Sequence, residues 1–146
     1  MNWKAEATEK LQRYLQMQQA ARNIPEEIQT LENAIYAIRS ARTDGTATRG
    51  GGNKREEMLL NNIVKRQELS NALEQTNRWL ATFERAMRTL SKEERLVLHR
   101  MFILPETGCV QRLCEELGVE QSTVYRKRDK ALERFTRSLY GATETN

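Results

Sequence analysis

Residues 55–90 contain no glycine or proline, and their apolar and small side chains recur at alternating steps of four and three. The positions are Leu69, Leu73, Thr76, Leu80, Phe83, Met87 and Leu90. This alternation places them on one stripe of an α-helix, which over this range would be about 54 Å long at 1.5 Å per residue. Such a stripe needs a partner. Residues 25–42 folding back would supply one, and a second copy of the chain would supply another.

The first 42 residues are also predicted to be helical, in two segments. One face of the first segment carries Trp3, Ala7, Leu11, Tyr14 and Leu15. The run Asn23-Ile24-Pro25-Glu26 interrupts this pattern, and we expect Pro25 to lie in the first turn of a second helix. The second segment carries Ile28, Leu31, Ile35 and Ile38. This spacing fits the seam of a coiled coil or helical hairpin, and it fits a plain amphipathic helix equally well.

Residues 43–54, TDGTATRGGGNK, are the clearest break between helical segments. They hold four of the seven glycines and no large apolar side chain. We predict a flexible linker. A phosphate-binding loop is the alternative reading, but the glycine-lysine spacing of such loops and a preceding strand are both missing.

Composition supports an all-α chain that remains in solution. Only two prolines occur, and 24 Lys and Arg against 20 Asp and Glu are spread along the chain, for a net charge of +4. No apolar run approaches the length of a membrane span, and the first residues lack the apolar core of a signal peptide. We therefore expect a cytoplasmic protein with no membrane partner.

Ser91-Lys92-Glu93-Glu94 has the form of a capping box, in which a serine and a glutamate three residues later satisfy each other's backbone amides. It predicts a new helix that ends before Pro105.

Residues 109–135, CVQRLCEELGVEQSTVYRKRDKALERF, carry the spacing of a helix-turn-helix. Cys114 is small enough for two helices to cross closely, and Gly118, four residues later, suits a turn with positive φ. Val124, six residues further on, would fill the angle between the helices. Leu113 and Leu117 complete the apolar face of the first helix, and the second is expected to begin near Gln121. A chance helical hairpin is the alternative.

Basic charge is concentrated on the second of these helices. Residues 121–139 contain six bases and two acids, whereas residues 91–120 contain four bases and six acids. A charged helix is usually only a solvated face, but here the basic excess coincides with the turn motif. Together they favour a helix that meets DNA.

The segments LSKEERLVLHRMF and RLCEELGVEQSTVYRKRDKALERF resemble region 4 of sigma-70-type factors. They resemble more closely the small sigma-like late-gene regulators of Gram-positive phages and prophages, the ArpU-type and RinA-type groups. The resemblance is specific over residues 90–140 and looser upstream. It implies promoter recognition in a bacterial or phage setting, a nucleoid-associated location in the host cell, and contact with host RNA polymerase as a further option.

Carried onto this chain, the resemblance identifies candidate DNA-binding residues. Those at the start and on the outer face of the recognition helix are Gln121, Ser122, Tyr125, Arg126 and Asp129. Their side chains suit base edges, a thymine methyl group or a phosphate. Those expected to position phosphates are Thr123, Lys127, Arg128 and Lys130, joined by Arg112 from the preceding helix.

Two residues depart from the family pattern. Glu120 stands where serine or threonine usually caps the recognition helix, so capping is expected to shift to Gln121 or Ser122 or to be weaker. Lys127 stands where an aliphatic side chain usually faces the core. It must turn outward, or the helix must rotate toward Arg128.

Residues suited to catalysis or metal binding are sparse. The one histidine, His99, is read as a packing or surface residue. Cys109 and Cys114 are read as reduced thiols, since a zinc site needs three or four ligands. We expect no enzyme activity, no catalytic residues, no metal and no cofactor.

The sequence thus predicts an all-α protein in two parts and a tail. Residues 1–90 would form a helical hairpin, with linker 43–54, for dimerisation or partner contact. Residues 91–140 would form a DNA-binding domain, and residues 141–146 a tail. The expected function is a duplex DNA-binding transcriptional regulator that acts as a homodimer and activates phage or prophage late genes. The alternatives are a small terminase subunit that binds DNA for packaging and an adaptor that binds polymerase without touching DNA.

Overall fold

The computed structural model describes residues 2–40 and 51–141, and every regular element within these ranges is helical. Helix α1 spans Trp3–Ser40 and α2 spans Gly51–Arg88. Helix α3 spans Lys92–Leu98 and runs into a π-helical segment, His99–Ile103. Helices α4 and α5 span Cys109–Leu117 and Gln121–Tyr140. The prediction of an all-α protein is confirmed for the described residues.

Helix α1 continues through Pro25, so the predicted start of a second helix there is wrong. A proline inside a helix removes one backbone hydrogen bond and crowds the preceding turn. The helix continues because its packed stripe keeps the same steps of three and four on both sides of the exposed Pro25. The stripe is buried or half-buried throughout and consists of Leu11, Tyr14, Met17, Ala21, Ile24, Ile28, Leu31, Ile35 and Ile38.

Helix α2 begins inside the segment predicted as a linker. Residues 51–54 form its first turn, so this part of the linker prediction is wrong. Residues 43–50 of the predicted linker, and residues 142–146 of the predicted tail, lie outside the described residues. The long helix predicted over residues 55–90 is present as most of α2, which ends at Arg88.

The chain divides into two compact units at positions different from the division expected between residues 90 and 91. The first unit consists of residues 1–18 and 79–146, and the second of residues 19–78. The start of α1 and the end of α2 thus belong with the C-terminal helices. The assignment of residues 1–90 to partner contact and of residues 91–140 to DNA binding stays a prediction.

The first unit has a core to which both ends of the chain contribute. Its buried members are Ala7, Leu11, Phe83, Ala86, Leu90, Leu98, Ile103, Ala131 and Phe135. The Phe83 ring stacks on Tyr14 at a centroid distance of 4.3 Å and meets the edge of Phe135 at 5.3 Å. Trp3 stacks on Tyr140 at 4.6 Å. These contacts fasten the start of α1 and the end of α2 to α5.

The second unit consists of residues 19–40 of α1 and residues 51–78 of α2, and a buried polar contact joins them. The Asn62 side-chain amide donates to the carbonyl oxygen of Leu31 at 2.8 Å, and Arg66 donates to the Asn62 side-chain oxygen at 2.8 Å. Asn62 is 6% exposed, whereas none of the fully buried apolar side chains of the described chain falls in this unit. The second unit therefore has a specific helix pairing but little apolar core of its own.

Replacing Leu11 with alanine tests whether the start of α1 belongs to the core that holds α5. Because Leu11 is fully buried, we expect Leu11→Ala to lower the free energy of unfolding of the first unit by about 2–5 kcal/mol. Urea denaturation and hydrogen exchange of the α5 amides measure the effect. The control is Leu15→Ala on the same helix, because Leu15 is 40% exposed. Unchanged exchange in α5 after Leu11→Ala would contradict the two-unit division.

Candidate nucleic-acid interface

A tight turn joins α4 to α5. Gly118 ends α4 with φ 65° and ψ 38°, in the left-handed region that favours glycine. The amide of Val119 donates to the carbonyl oxygen of Cys114 at 3.1 Å, which closes the turn. Helix α5 then begins at Gln121. The predicted positive φ at Gly118 and the predicted start of the second helix are both confirmed.

A small apolar cluster fixes α3, α4 and α5 to one another. Val97, Leu113 and Val124, one from each helix, are completely buried. Cys114, Leu117 and Val119 are partly buried against them, so the apolar face predicted for α4 is present. Val124 fills the space between the helices, as its spacing predicts. The cluster therefore holds α5 in one orientation about its own axis and determines which of its side chains face solvent.

The N-terminus of α5 lacks a side-chain cap. Glu120 occupies the N-cap position with extended backbone angles, but its side chain makes no capping hydrogen bond. Its carbonyl oxygen accepts from the amides of Thr123 and Val124, both at 3.1 Å. The sequence left open whether capping shifts to Gln121 or Ser122 or becomes weaker. The structure shows weaker capping.

The candidate residues divide by exposure. Those largely exposed are Gln121, Ser122, Arg126, Asp129, Lys130 and, on α4, Arg112. Those half-buried are Thr123, Tyr125, Lys127 and Arg128. Val124, Ala131 and Phe135 line the opposite, buried face of α5. The structure thus brings nine of the candidates together on one helix, and Arg112 lies on α4, where it pairs with Glu106.

Tyr125 and its neighbours form a connected set on one flank of α5. The Arg128 guanidinium lies over the Tyr125 ring at 4.9 Å, and its Nε donates to the Asp129 carboxylate at 3.0 Å. The Gln121 amide donates to the Tyr125 hydroxyl at 3.4 Å. Because each side chain restricts its neighbour, Arg128 is held close to the helix surface instead of extending into solvent.

Lys127 stands where the regulators that this chain resembles usually have an aliphatic side chain. Its side chain turns toward α3, where the ammonium group pairs with Glu93. Arg134, two turns further along α5, pairs in the same way with Glu94 at 2.9 Å. Sequence reasoning missed Arg134, Glu93 and Glu94 as members of this surface. The sequence did contain a signal for this surface. Lys127 and Arg134 are seven residues apart and so share a helix face, and both acids lie in the predicted capping box.

Glu94 is held in place from two sides. The Ser91 amide donates to Glu94 Oε1 at 2.9 Å, and the Glu94 amide donates to the Ser91 hydroxyl at 3.1 Å, so the predicted capping box is confirmed. Burial raises the pKa of Glu94, but the hydrogen bonds with Ser91 and the charge of Arg134 outweigh burial and leave the pKa below its usual value. The stabilising contribution of this carboxylate is therefore present at neutral pH and is lost on acidification.

Two of the six bases in residues 121–139 have no acidic partner in the described part of the chain. Arg126 donates to the Thr123 hydroxyl at 3.3 Å, and Lys130 is exposed. The other four contact carboxylates. Lys127 and Arg134 pair with the two acids of α3, as described above, and Arg128 pairs with Asp129 and Arg137 with Glu133, both at 2.9 Å. The cations of α5 that remain for an outside anion are therefore centred on Arg126 and Lys130.

The described residues contain no group of three or more side chains placed to hold a metal ion. Cys109 and Cys114 are both half-buried and unpaired with each other. No helix within residues 2–40 and 51–141 has the length and apolar character of a membrane span.

Comparisons with protein-family models, curated proteins and solved structures find no match. What this chain does must therefore be inferred from its own residues and their geometry.

Replacing Gly118 tests how far the turn depends on its left-handed backbone. A Cβ atom built on Gly118 meets nothing within 4 Å, so the only penalty is conformational. We expect Gly118→Ala to lower the free energy of unfolding of the first unit by about 1–2 kcal/mol. Gly118→Asn should cost less, because asparagine adopts this conformation more readily. Thermal denaturation measures both, and equal losses in the two variants would contradict the role given to φ.

Proposed function

We propose that the chain is a sequence-specific regulator of transcription that binds duplex DNA through α5, in the manner of the sigma-like late-gene regulators of phages. The observation that carries the proposal is the division of α5 into two faces. Its buried face is locked by Val124, Ala131 and Phe135, while Gln121, Ser122 and Arg126 are exposed at its start. A helix held in this way presents donors and acceptors to base edges in a major groove.

The charge of this face supports a nucleic-acid ligand. Arg126 and Lys130 are exposed bases without acidic partners in the described chain, and Ser122 and Thr123 stand beside them with hydroxyl groups. Phosphate contacts of this kind position a protein on DNA, while glutamine and arginine at the start of the helix supply base recognition. The location that follows is the host nucleoid.

Binding to duplex DNA tests the proposal directly. Duplexes are first selected by the protein from a randomised pool, and the selected duplex is then titrated alongside a scrambled one over a salt series. We expect Arg126→Ala plus Lys130→Ala to weaken binding to the selected duplex at least tenfold and binding to the scrambled duplex less, because Arg126 is assigned to base edges. We also expect the slope of log K against log salt to become shallower by about 0.9, the contribution of the one phosphate contact assigned to Lys130.

A matched control removes two exposed bases elsewhere in the first unit, Arg85→Ala plus Arg88→Ala on α2. Its slope should stay close to that of the unaltered protein. Absence of binding at low salt, or equal losses in the two double variants, would contradict DNA binding through α5.

A groove beside α3 favours the adaptor alternative as a second candidate. It has a volume of about 570 Å³ and is lined by Lys92, Glu93, Arg95, Leu96, His99 and Leu117. Its apolar floor suits a protein segment better than DNA. If the chain binds no duplex but retains RNA polymerase, the adaptor function replaces the first proposal.

We further propose that the protein acts as a homodimer joined through the second unit. None of the fully buried apolar side chains of the described chain lies in residues 19–78. Several large apolar side chains there are about half-exposed or more: Tyr36, Met58, Leu60, Ile63 and Val64. Of these, Leu60, Ile63 and Val64 lie on one side of α2, because residues three and four positions apart are neighbours on a helix surface. A second copy of this two-helix unit would cover them and let two α5 helices meet half-sites one turn of DNA apart.

Serine at two exposed positions of α2 tests the dimer. Leu60 is 60% and Val64 48% exposed, so Leu60→Ser plus Val64→Ser should leave the fold intact and weaken association at least tenfold. Sedimentation equilibrium of the unaltered protein should give twice the chain mass of 17.0 kDa. The control is Leu15→Ser plus Leu104→Ser, at exposed positions of the first unit. A monomer would contradict the dimer, and a ring of eight or more chains would favour the terminase alternative.

A further inference from the structure

Two acids at the start of α3 contact the basic helix α5 side by side. Glu93 pairs with Lys127, and Glu94 pairs with Arg134 at 2.9 Å between Oε1 and a guanidinium nitrogen. The contacts border a small cavity of about 190 Å³, lined by Ser91, Glu93, Glu94, Val97, Lys127, Lys130 and Arg134. We call Glu93 and Glu94 the acidic pair.

The position of the acidic pair is fixed by packing. Val97 on α3 belongs to the same buried cluster as Val124, and Leu98 belongs to the same core as Ala131 and Phe135. Glu94 is fixed further by its capping box with Ser91. Its side chain is only 13% exposed. The acids are therefore attached to a rigid element and face α5 at a set distance.

The bases that contact the acidic pair are of the kind that supplies the electrostatic component of DNA binding. Each lysine or arginine that neutralises a phosphate adds to the attraction for any DNA sequence, whereas sequence is read by contacts to base edges. Lys127 and Arg134 are occupied by carboxylates, while Arg126 and Lys130 have no acidic partner among the described residues. An exposed ion pair is weak enough that a phosphate would compete for the cation, but the carboxylate left behind would repel that phosphate.

We propose that the acidic pair sets the specificity of the protein by keeping Lys127 and Arg134 from binding phosphates, which lowers the affinity for DNA of unrelated sequence. This inference rests on the proposed function. It also reassigns Lys127, which the family resemblance gives as a phosphate contact, to an internal ion pair. The ratio of specific to non-specific affinity decides whether a regulator finds its site among many competing ones, and the acidic pair raises that ratio.

Glu93→Gln is the most direct test, because glutamine keeps the size of the side chain and Glu93 takes no part in the capping box. The probes are the selected and scrambled duplexes, measured by fluorescence anisotropy at about 50–200 mM salt. We expect the variant to bind the scrambled duplex several-fold more tightly, with a salt slope steeper by about 0.9 for one additional phosphate contact. Binding to the selected duplex should rise less, so the ratio of the two affinities should fall.

Glu115→Gln is the matched control, since Glu115 is exposed on α4 and has no ion pair among the described residues. It removes the same charge without releasing a base, so its slope should stay unchanged. Adding Lys127→Ala to Glu93→Gln should cancel the gain, whereas Lys127→Ala alone should leave the slope unchanged. Circular dichroism and thermal denaturation verify that each variant is folded.

Two results would overturn the inference while leaving DNA binding intact. One is an equal change in affinity and salt slope for Glu93→Gln and Glu115→Gln. It would show that the acidic pair acts only through the net charge of the protein. The other is a shallower slope for Lys127→Ala alone, which would show that Lys127 contacts phosphate despite Glu93. Failure of the unaltered protein to bind either duplex would instead remove the proposed function itself.

Discussion

The packing of Phe83 is the constraint on which the first unit depends. The ring is 1% exposed and contacts Tyr14 of α1, Trp79 of its own helix and Phe135 of α5. Aromatic rings in these stacked and edge-on arrangements contribute more than their buried area alone. Because Phe135 lies on the same helix as Val124, the contacts of Phe83 help to fix the face that α5 turns to solvent. The candidate site on α5 thus depends on residues near both ends of the sequence.

Local periodicity predicted most of the helices, but it did not predict how they group into units. The alternation from Leu69 to Leu90 gave α2, and the capping box at Ser91 gave the start of α3. Pro25 was misread because local propensity was weighed above a stripe that continues unchanged from Leu11 to Ile38. The stacking of Trp3 on Tyr140 joins residues more than a hundred positions apart, and no periodic pattern within one helix carries that information. The grouping into units was therefore beyond sequence reasoning.

The candidate site shows the same contrast between local and distant contacts. Gly118 and Val124 were predicted from spacing, because a turn and the plug beside it are local features. The partners of the basic side chains were not, since Glu93 reaches Lys127 only when α3 packs against α5. Lys127 was recognised as a departure from the family pattern, but its destination depends on that packing. Charge counted along the sequence therefore overstated how many bases of α5 remain for a ligand.

Ion pairing within the first unit and exposed apolar surface in the second are complementary features. Four of the six bases in residues 121–139 contact carboxylates, so one copy of α5 offers few cations to DNA and would bind weakly. A weak but selective helix is useful when two copies are joined, because the second copy then binds at a high effective concentration. In the proposed dimer, the second unit would supply the surface for that joining, since Leu60 and Val64 are exposed and none of the fully buried apolar side chains lies among its described residues. The proposed DNA binding and the proposed dimer therefore support one another, because joining two copies would compensate for the few cations that each α5 leaves free.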